Sequence, residues 1–388
     1  MVHISLSRNS KLSGFLLLAL AIILLGGCAL MEIKMGNGVI RHVDTIKNVD
    51  GYGTNVLRWH PDSRHLAVSG GGKRWIFIWD TKEKRLVNKV DKIAPGFEDA
   101  LAFSPDGNYL VSKLKSDECT KPKGKYNGCL ALWSVAENYR LVNKTSSDGT
   151  MILLPAPGNR VCSYASGPYM DKSPKLRIFD IPSFRRIESH TNLDGPDIVA
   201  FSHNGKLLAE AYNTYGINPF DRSGDRFHLR MWKFPEMEIL WEAQDVHRES
   251  TVSLAFSKDD KHLVTGPFSS DQKIIKSPGS KDWVIKAYWE PMKQFEAMTG
   301  NFIRNIVRLD QGPNLLHFLD DRYILGVMGP RREIIIWDFI TGEEIDRKGI
   351  SADRFSWTAE LSPDGKTLAF GKINEVLLFQ FDLPQADN

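Results

Sequence analysis

Ten histidines, four cysteines and a few adjacent carboxylates are the groups in this chain that could ligate a metal, attack a carbonyl or move a proton. The histidines, among them His60, His65, His190, His203 and His317, are scattered and show no ligand spacing of the His-Glu-x-x-His kind. Each reads as a surface or turn position. The pairs Asp259-Asp260, Asp320-Asp321 and Glu343-Glu344 fall where the chain should turn, and solvation at a turn explains them better than acid–base chemistry. No phosphate-cradling Gly loop and no Gly-x-Ser-x-Gly elbow occurs. The sequence therefore offers no catalytic residue, no metal site and no cofactor site, and favours a protein that is not an enzyme. What it offers instead is repetition.

Six hydrophobic runs break at related turns: Trp59-His60-Pro61-Asp62-Ser63, Phe103-Ser104-Pro105-Asp106-Gly107, Phe201-Ser202-His203-Asn204-Gly205, Phe256-Ser257-Lys258-Asp259-Asp260, Phe318-Leu319-Asp320-Asp321 and Leu361-Ser362-Pro363-Asp364-Gly365. A degenerate copy, Leu154-Pro155-Ala156-Pro157-Gly158, fills the gap in the series. Pro presets the first turn position, Asp bonds nearby backbone, and Gly takes the left-handed conformation that reverses the chain. Each hairpin is followed by a third hydrophobic run: Trp75 to Trp79, Leu130 to Trp133, Leu176 to Phe179, Leu229 to Trp232, Val284 to Tyr288, Ile334 to Trp337 and Val376 to Phe379. Runs that are apolar at nearly every position mark strands buried on both faces, so their aromatics read as core. A repeat of short strands at this spacing predicts an all-β, seven-bladed β-propeller. Too little chain follows Phe381 for a last fourth strand, whereas Val39 to Ile46 reads as a strand without a hairpin partner. That N-terminal strand should close the last blade and remove two sheet edges, making 39–388 one domain.

These features resemble the WD-repeat family of propellers from about Val39 to Phe381. Trp79-Asp80 and Trp337-Asp338 match the naming dipeptide, and Phe179-Asp180 nearly does. Trp133-Ser134, Trp232-Lys233, Tyr288-Trp289 and Phe379-Gln380 depart from it, and His247 is the one histidine placed like that of the family's Gly-His pair.

The first residues carry an address. Arg8 and Lys11 precede an uncharged run, which ends at Leu25-Gly26-Gly27-Cys28. A positive flank, an apolar core and small residues before a cut describe a secretory signal. Cysteine directly after the small pair resembles the bacterial lipoprotein signal, which implies a signal peptide at 1–27, a lipidated Cys28 and a tether at 28–38. The alternatives are an uncleaved anchor, since Leu12 to Met31 gives 20 uncharged residues, or an ordinary buried apolar segment. Ala29 after the cysteine resembles lipoproteins of the outer membrane, on its periplasmic face. In an oxidising compartment Cys119 and Cys129, ten positions apart, suggest a loop-closing disulfide worth roughly 3 kcal/mol; two free thiols are the alternative. Cys162 reads as a core residue. The net charge of +3 falls to about +1 without Arg8 and Lys11, and no basic patch argues for nucleic acid.

Loop length is the remaining signal. Naming the strands of each blade a to d from the axis outward, the b–c connections Lys113 to Gly128, Ser166 to Lys175, Asn213 to Phe227 and Ser269 to Trp283 are long for a compact domain. All b–c loops leave one face, so these neighbours should form a raised rim carrying Lys123, Lys125, Tyr126, Tyr169, Tyr215, Phe220, Arg222, Arg226, Phe227, Lys273 and Trp283. Aromatics beside Arg and Lys are the composition of interaction hot spots. The sequence thus predicts a monomeric, lipid-anchored platform that binds an envelope protein or polymer. The alternative is an exported enzyme, or a binder of small ligands or polysaccharide, using the central channel or the same rim.

Overall fold

The repeated turns close locally through their short polar side chains. Ser104, Ser257 and Ser362 each donate from Oγ to the carboxylate two residues on, Asp106, Asp259 and Asp364, at 2.5, 2.7 and 2.6 Å. Each hydroxyl also accepts the backbone N–H that starts the next strand, from Tyr109, His262 and Thr367. Gly107, Gly205 and Gly365 hold φ near +70°, the left-handed step that the turn needs, while Ser63 and Asp260 take it in blades one and five.

The computed structural model describes residues 38–47, 54–70, 75–91, 100–114, 119, 129–146, 152–164, 176–190, 196–214, 226–247, 250–268, 273–276, 283–286, 289–329, 332–351 and 358–384. The turns join strands a and b of seven four-stranded antiparallel sheets. Blade one is Thr54–Trp59, His65–Gly70, Ile76–Asp80 and Arg85–Val90. Blade two is Leu101–Phe103, Tyr109–Leu114, Cys129–Ser134 and Arg140–Ser146. Blade three is Ile152–Ala156, Arg160–Tyr164, Leu176–Asp180 and Arg185–His190. Blade four is Pro196–Phe201, Leu207–Thr214, Arg226–Lys233 and Glu238–Gln244. Blade five is Thr251–Phe256, His262–Pro267, Glu290–Glu296 and Phe302–Leu309. Blade six is Pro313–Phe318, Tyr323–Met328, Glu333–Asp338 and Glu344–Gly349. Blade seven is Ala359–Leu361, Thr367–Lys372 and Glu375–Phe381, completed by Ile40–Lys47 from the N-terminal side. The closing strand pairs from Ile40 opposite Phe381 to Lys47 opposite Glu375, so the seven-bladed propeller closes as the sequence predicts.

Every residue of Cys129–Ser134 is buried, as a middle strand between two blades should be. The core is divided among the blade interfaces: Ile76 and Ile78 meet Leu110, Ala131 and Trp133, and Leu57, Leu66 and Val68 meet Ala369, Val376 and Leu378. Cys119 is bonded to Cys129 with Cα atoms 5.8 Å apart, and Cys162 is free and buried.

Two expectations need correction. The third strand of blade five is Glu290–Glu296, not Val284 to Tyr288; Trp283–Lys286 instead pairs with Lys273–Lys276 in a separate hairpin inside the b–c connection. Lys293 faces the flank and Gln294 is buried, so the true strand lacks an unbroken apolar run, whereas Val284-Ile285 mimics one. Phe295-Glu296 pairs with Leu263 and His262 as Trp79-Asp80 pairs with Leu66 and His65, and therefore takes the Trp-Asp place. The second correction concerns Asp260, which is buried rather than solvated. Its carboxylate accepts the backbone N–H groups of His203 and Asn204, both at 2.7 Å, and so fastens the turn of blade five to that of blade four.

Candidate functional site

Strand c starts, and strand d ends, on the face of the b–c connections. Arg226 and Phe227 begin strand c of blade four there; Arg226 is exposed and lies 3.9 Å from Asp245 at the end of strand d. The Lys273–Lys276/Trp283–Lys286 hairpin belongs to the blade-five connection, with Lys276 opposite Trp283. Lys123, Lys125, Tyr126, Tyr169, Tyr215, Phe220 and Arg222 lie outside the described residues.

Beside this rim a groove of about 970 Å³ runs between the outer strands of blades four and five. Trp289 stands at the entrance to strand c, 59% exposed, and Phe302 opens strand d, 53% exposed. Phe302 is set by the turn before it. Gly300 has φ +75° and sits so close to the Trp241 ring that a Cβ would lie 2.5 Å from it. Trp241 stacks on Phe295, and Phe295 meets Phe302 edge-on at 5.8 Å. The floor is polar and tied down. Lys293 donates from Nζ to the Val246 carbonyl, and Glu290 lies 3.4 Å from the buried His247. His247 shares a 2.8 Å hydrogen bond with the Thr265 hydroxyl, and burial holds its imidazole below the usual range despite Glu290. Arg308, Asn305 and Asp245 complete the walls. A groove with two exposed aromatic rings over fixed charges of both signs has the composition of an interaction surface. The sequence pattern had not marked Trp289 or Phe302, because the shift in blade five hid the strand starts that expose them.

Residues 44–80 and 243–275 match the WD domain, G-beta repeat. Both stretches begin in the outer strand of one blade and run into the next, the first through strand c of blade one and the second through strand b of blade five. No curated protein matches the chain. The matched segments place WD-type repeats at blades one and five of this propeller. In blade five the His247–Thr265 bond links the connection before strand a to strand b. Trp133 and Trp232 make a comparable tie from strand c to strand b, donating from Nε1 to Ser112 and Glu210, both at 2.9 Å.

A second cavity, of about 420 Å³, lies on the axis among the inner strands of blades three to six. His203, Lys258, Asn314 and His317 supply its polar groups. Burial, with Lys258 and His203 beside it, pushes the His317 imidazole down to about 4. On the inner strand of blade four, burial raises the Asp197 carboxyl to about 6, and its Oδ2 has no hydrogen-bond partner among the described residues. A carboxyl raised above its unfolded value holds its proton longer in the folded state, so its penalty appears as pH rises through the range from about 4 to 6. Asp197→Asn should therefore raise stability by about 1–2 kcal/mol at pH 7.5 and leave it unchanged near pH 3.5. Urea unfolding at the two pH values checks this; an equal change at both would remove the titration account. Among the described residues one group of three possible metal ligands occurs, His60, Asp62 and His65. Sequence reasoning set these histidines apart as turn residues, since the fold of the turn, not their spacing, brings them together.

Proposed function

We propose that this protein is a non-enzymatic interaction platform of the cell envelope, anchored by lipid on Cys28, that captures a protein or polymer through the b–c face. The observation that carries the reading is Trp289, 59% exposed at the start of strand c on the b–c face and lining the groove between blades four and five. Rigid aromatic anchors dominate interface energies, which makes an exposed Trp above a groove of mixed charge the strongest candidate contact. The chain enters the propeller at Gly38 to Ile40, beside Phe381, on the face of the a–b turns. A tether from Cys28 would then hold that face toward the bilayer and turn the b–c face, with Trp289, outward. The axial cavity favours a second reading, a small ligand held beside His203, Lys258 and His317.

Replacing Trp289 by Ser should reduce partner capture by at least about 30-fold. Crosslinking in intact envelopes followed by quantitative recovery of the partner measures this. Full capture by Trp289→Ser, with loss on altering Phe302, Asp106 or Asp364 instead, would place the partner on the opposite face. Cys28→Ser should leave an unprocessed precursor without acyl label, read by intact mass. Normal maturation of that variant would remove the lipid anchor.

A further inference from the structure

His60, Asp62 and His65 lie on one six-residue turn of blade one, with a ligand atom from each within 4.8 Å of the others. His60 is held from outside the turn. Its Nε2 lies 2.8 Å from the Gly107 carbonyl of blade two, and its ring meets Phe103 edge-on at 5.0 Å. Gly107 itself leaves no slack, because a Cβ there would fall 2.6 Å from that same nitrogen. A carbonyl only accepts, so Nε2 carries the hydrogen and Nδ1 of the neutral ring presents a lone pair. That lone pair lies 3.0 Å from Asp62 Oδ1 and 3.2 Å from the Asp62 N–H. On the other side, His65 Nδ1 lies 2.7 Å from Asp62 Oδ2.

The His60 nitrogen accepts the Asp62 N–H and yet lies 3.0 Å from the Asp62 oxygen, so two acceptors also face one another. A cation between them, a proton or a metal ion, turns that repulsion into attraction. The outer contacts favour the metal ion. Metal-binding imidazoles characteristically donate their second N–H to a carbonyl or carboxylate, which fixes the tautomer. His60 does so to Gly107, and His65 turns its Nε2 toward the buried Asp80 at 3.9 Å. Asp80 is itself held by Arg64, at 3.0 and 2.6 Å. Asp62 is fixed as well, since its Oδ1 accepts the backbone N–H groups of Arg64 and His65 at 2.8 and 2.9 Å.

We propose that His60 Nδ1, Asp62 and His65 Nδ1 form a binding site for a divalent transition-metal ion, of the Zn²⁺ class. Two imidazoles and one carboxylate suit such ions; a tetrahedral ion with bonds of about 2.0–2.1 Å needs donors about 3.4 Å apart, so the imidazoles, now 3.0 and 2.7 Å from the Asp62 oxygens, would draw back by roughly half an ångström to admit it. The partial exposure of all three side chains leaves a fourth position open to solvent. Because His60 leans on Gly107, the bound ion would brace the turn of blade one against blade two. Binding places the His65 proton on Nε2, facing Asp80, so that the neutral ring ligates through Nδ1 while Asp62 supplies a carboxylate oxygen.

Titration calorimetry with Zn²⁺ on the full chain, prepared without a histidine tag, should show one equivalent bound and a raised melting temperature that a chelator reverses. His60→Gln and His65→Gln should each weaken binding by at least about 100-fold. Asp62→Asn, which can still accept the two turn N–H groups, should weaken it while the chelated protein melts as wild type, separating loss of ligation from misfolding. Co²⁺ substituted for Zn²⁺ should give tetrahedral visible bands that vanish in His65→Gln. No Zn²⁺ binding by the wild-type chain would leave the proton as the bridging cation and overturn the proposal. Binding of undiminished strength by the His60→Gln/His65→Gln variant would equally overturn it, by placing the ion elsewhere.

Discussion

Glu210→Ala should lower the unfolding free energy by about 3 kcal/mol, the cost of taking one partner from a buried charged network. Glu210 is fully buried on strand b of blade four. Its Oε2 accepts from Trp232 Nε1 at 2.9 Å and lies 3.7 Å from Arg230 Nη1. Arg230, also buried, binds Glu242 at 2.9 Å and donates to the Tyr212 hydroxyl, and Tyr212 stacks on His228 with ring centres 4.5 Å apart. Loss of Glu210 leaves the Trp232 N–H without its acceptor and the guanidinium with less compensating charge; Glu242 keeps the cost below that of an isolated buried cation. Glu210→Gln should recover roughly half, because an amide oxygen can still accept from Trp232. The midpoint and slope of urea unfolding measure both variants. Equal stability of Glu210→Ala and wild type would show that the network adds nothing net. Burial raises and Arg230 lowers the Glu242 carboxyl, with a net fall below its usual range. Its contribution is therefore present above the ordinary glutamate range and is lost as pH falls through and below it.

The parts of this fold legible in the sequence are those where local chemistry and long-range packing agree. Ser104-Pro105-Asp106-Gly107 and its copies close by contacts between residues two to five apart, so the turn can be read without knowing its neighbours. Cys129–Ser134 and Glu333–Asp338 lie between blades, and their apolar runs announce it. Blade five broke the pattern because Glu290–Glu296 buries Glu290 and Gln294 against His247 and neighbouring polar groups, while Ile274-Ile275 and Val284-Ile285 pair with each other in a hairpin outside the blade. A periodicity argument has no way to weigh those two outcomes. The exposed position of Trp289 follows from that register and so was hidden with it. His60 and His65 illustrate a different limit: their convergence depends on Gly107, forty-odd positions away and in another blade. The rim was read from loop length, and its described ends, Arg226 and the Lys273–Lys276 hairpin, lie on the b–c face that the strand order requires.

The largest effect is expected at the closing strand, where Ile40→Asp combined with Ile46→Asp should open the ring. Ile40 and Ile46 are 3% and 6% exposed, and they pack in different interfaces, Ile40 with Leu325, Ile336 and Phe379 and Ile46 with Leu57, Leu66 and Val376. Each substitution removes a buried aliphatic side chain and puts a carboxylate in its place. At position 40 that carboxylate would also approach Asp346, whose Oδ2 accepts the Ile40 N–H at 2.7 Å. Loss of two such side chains costs about 4–10 kcal/mol before the charge is counted, which is comparable to the whole stability of an ordinary domain. Beyond its ladder with Glu375–Phe381 and the Ile40–Asp346 bond, the ion pairs of the strand among the described residues are surface ones: Arg41–Asp382 is solvated, and Lys84 reaches Asp44 from blade one across a largely exposed surface. Once Ile40–Lys47 leaves, Glu375–Phe381 becomes an edge strand with unpaired N–H and C=O groups along its length. The double variant should therefore lose amide protection first in Glu375–Phe381 and then self-associate, seen by hydrogen exchange and light scattering. Arg41→Ala should melt as wild type and stay monomeric, because it touches only the solvated pair. A double variant that remains monomeric, with native protection along Glu375–Phe381, would show that the ring holds without its N-terminal strand and that closure lies in the other blade interfaces.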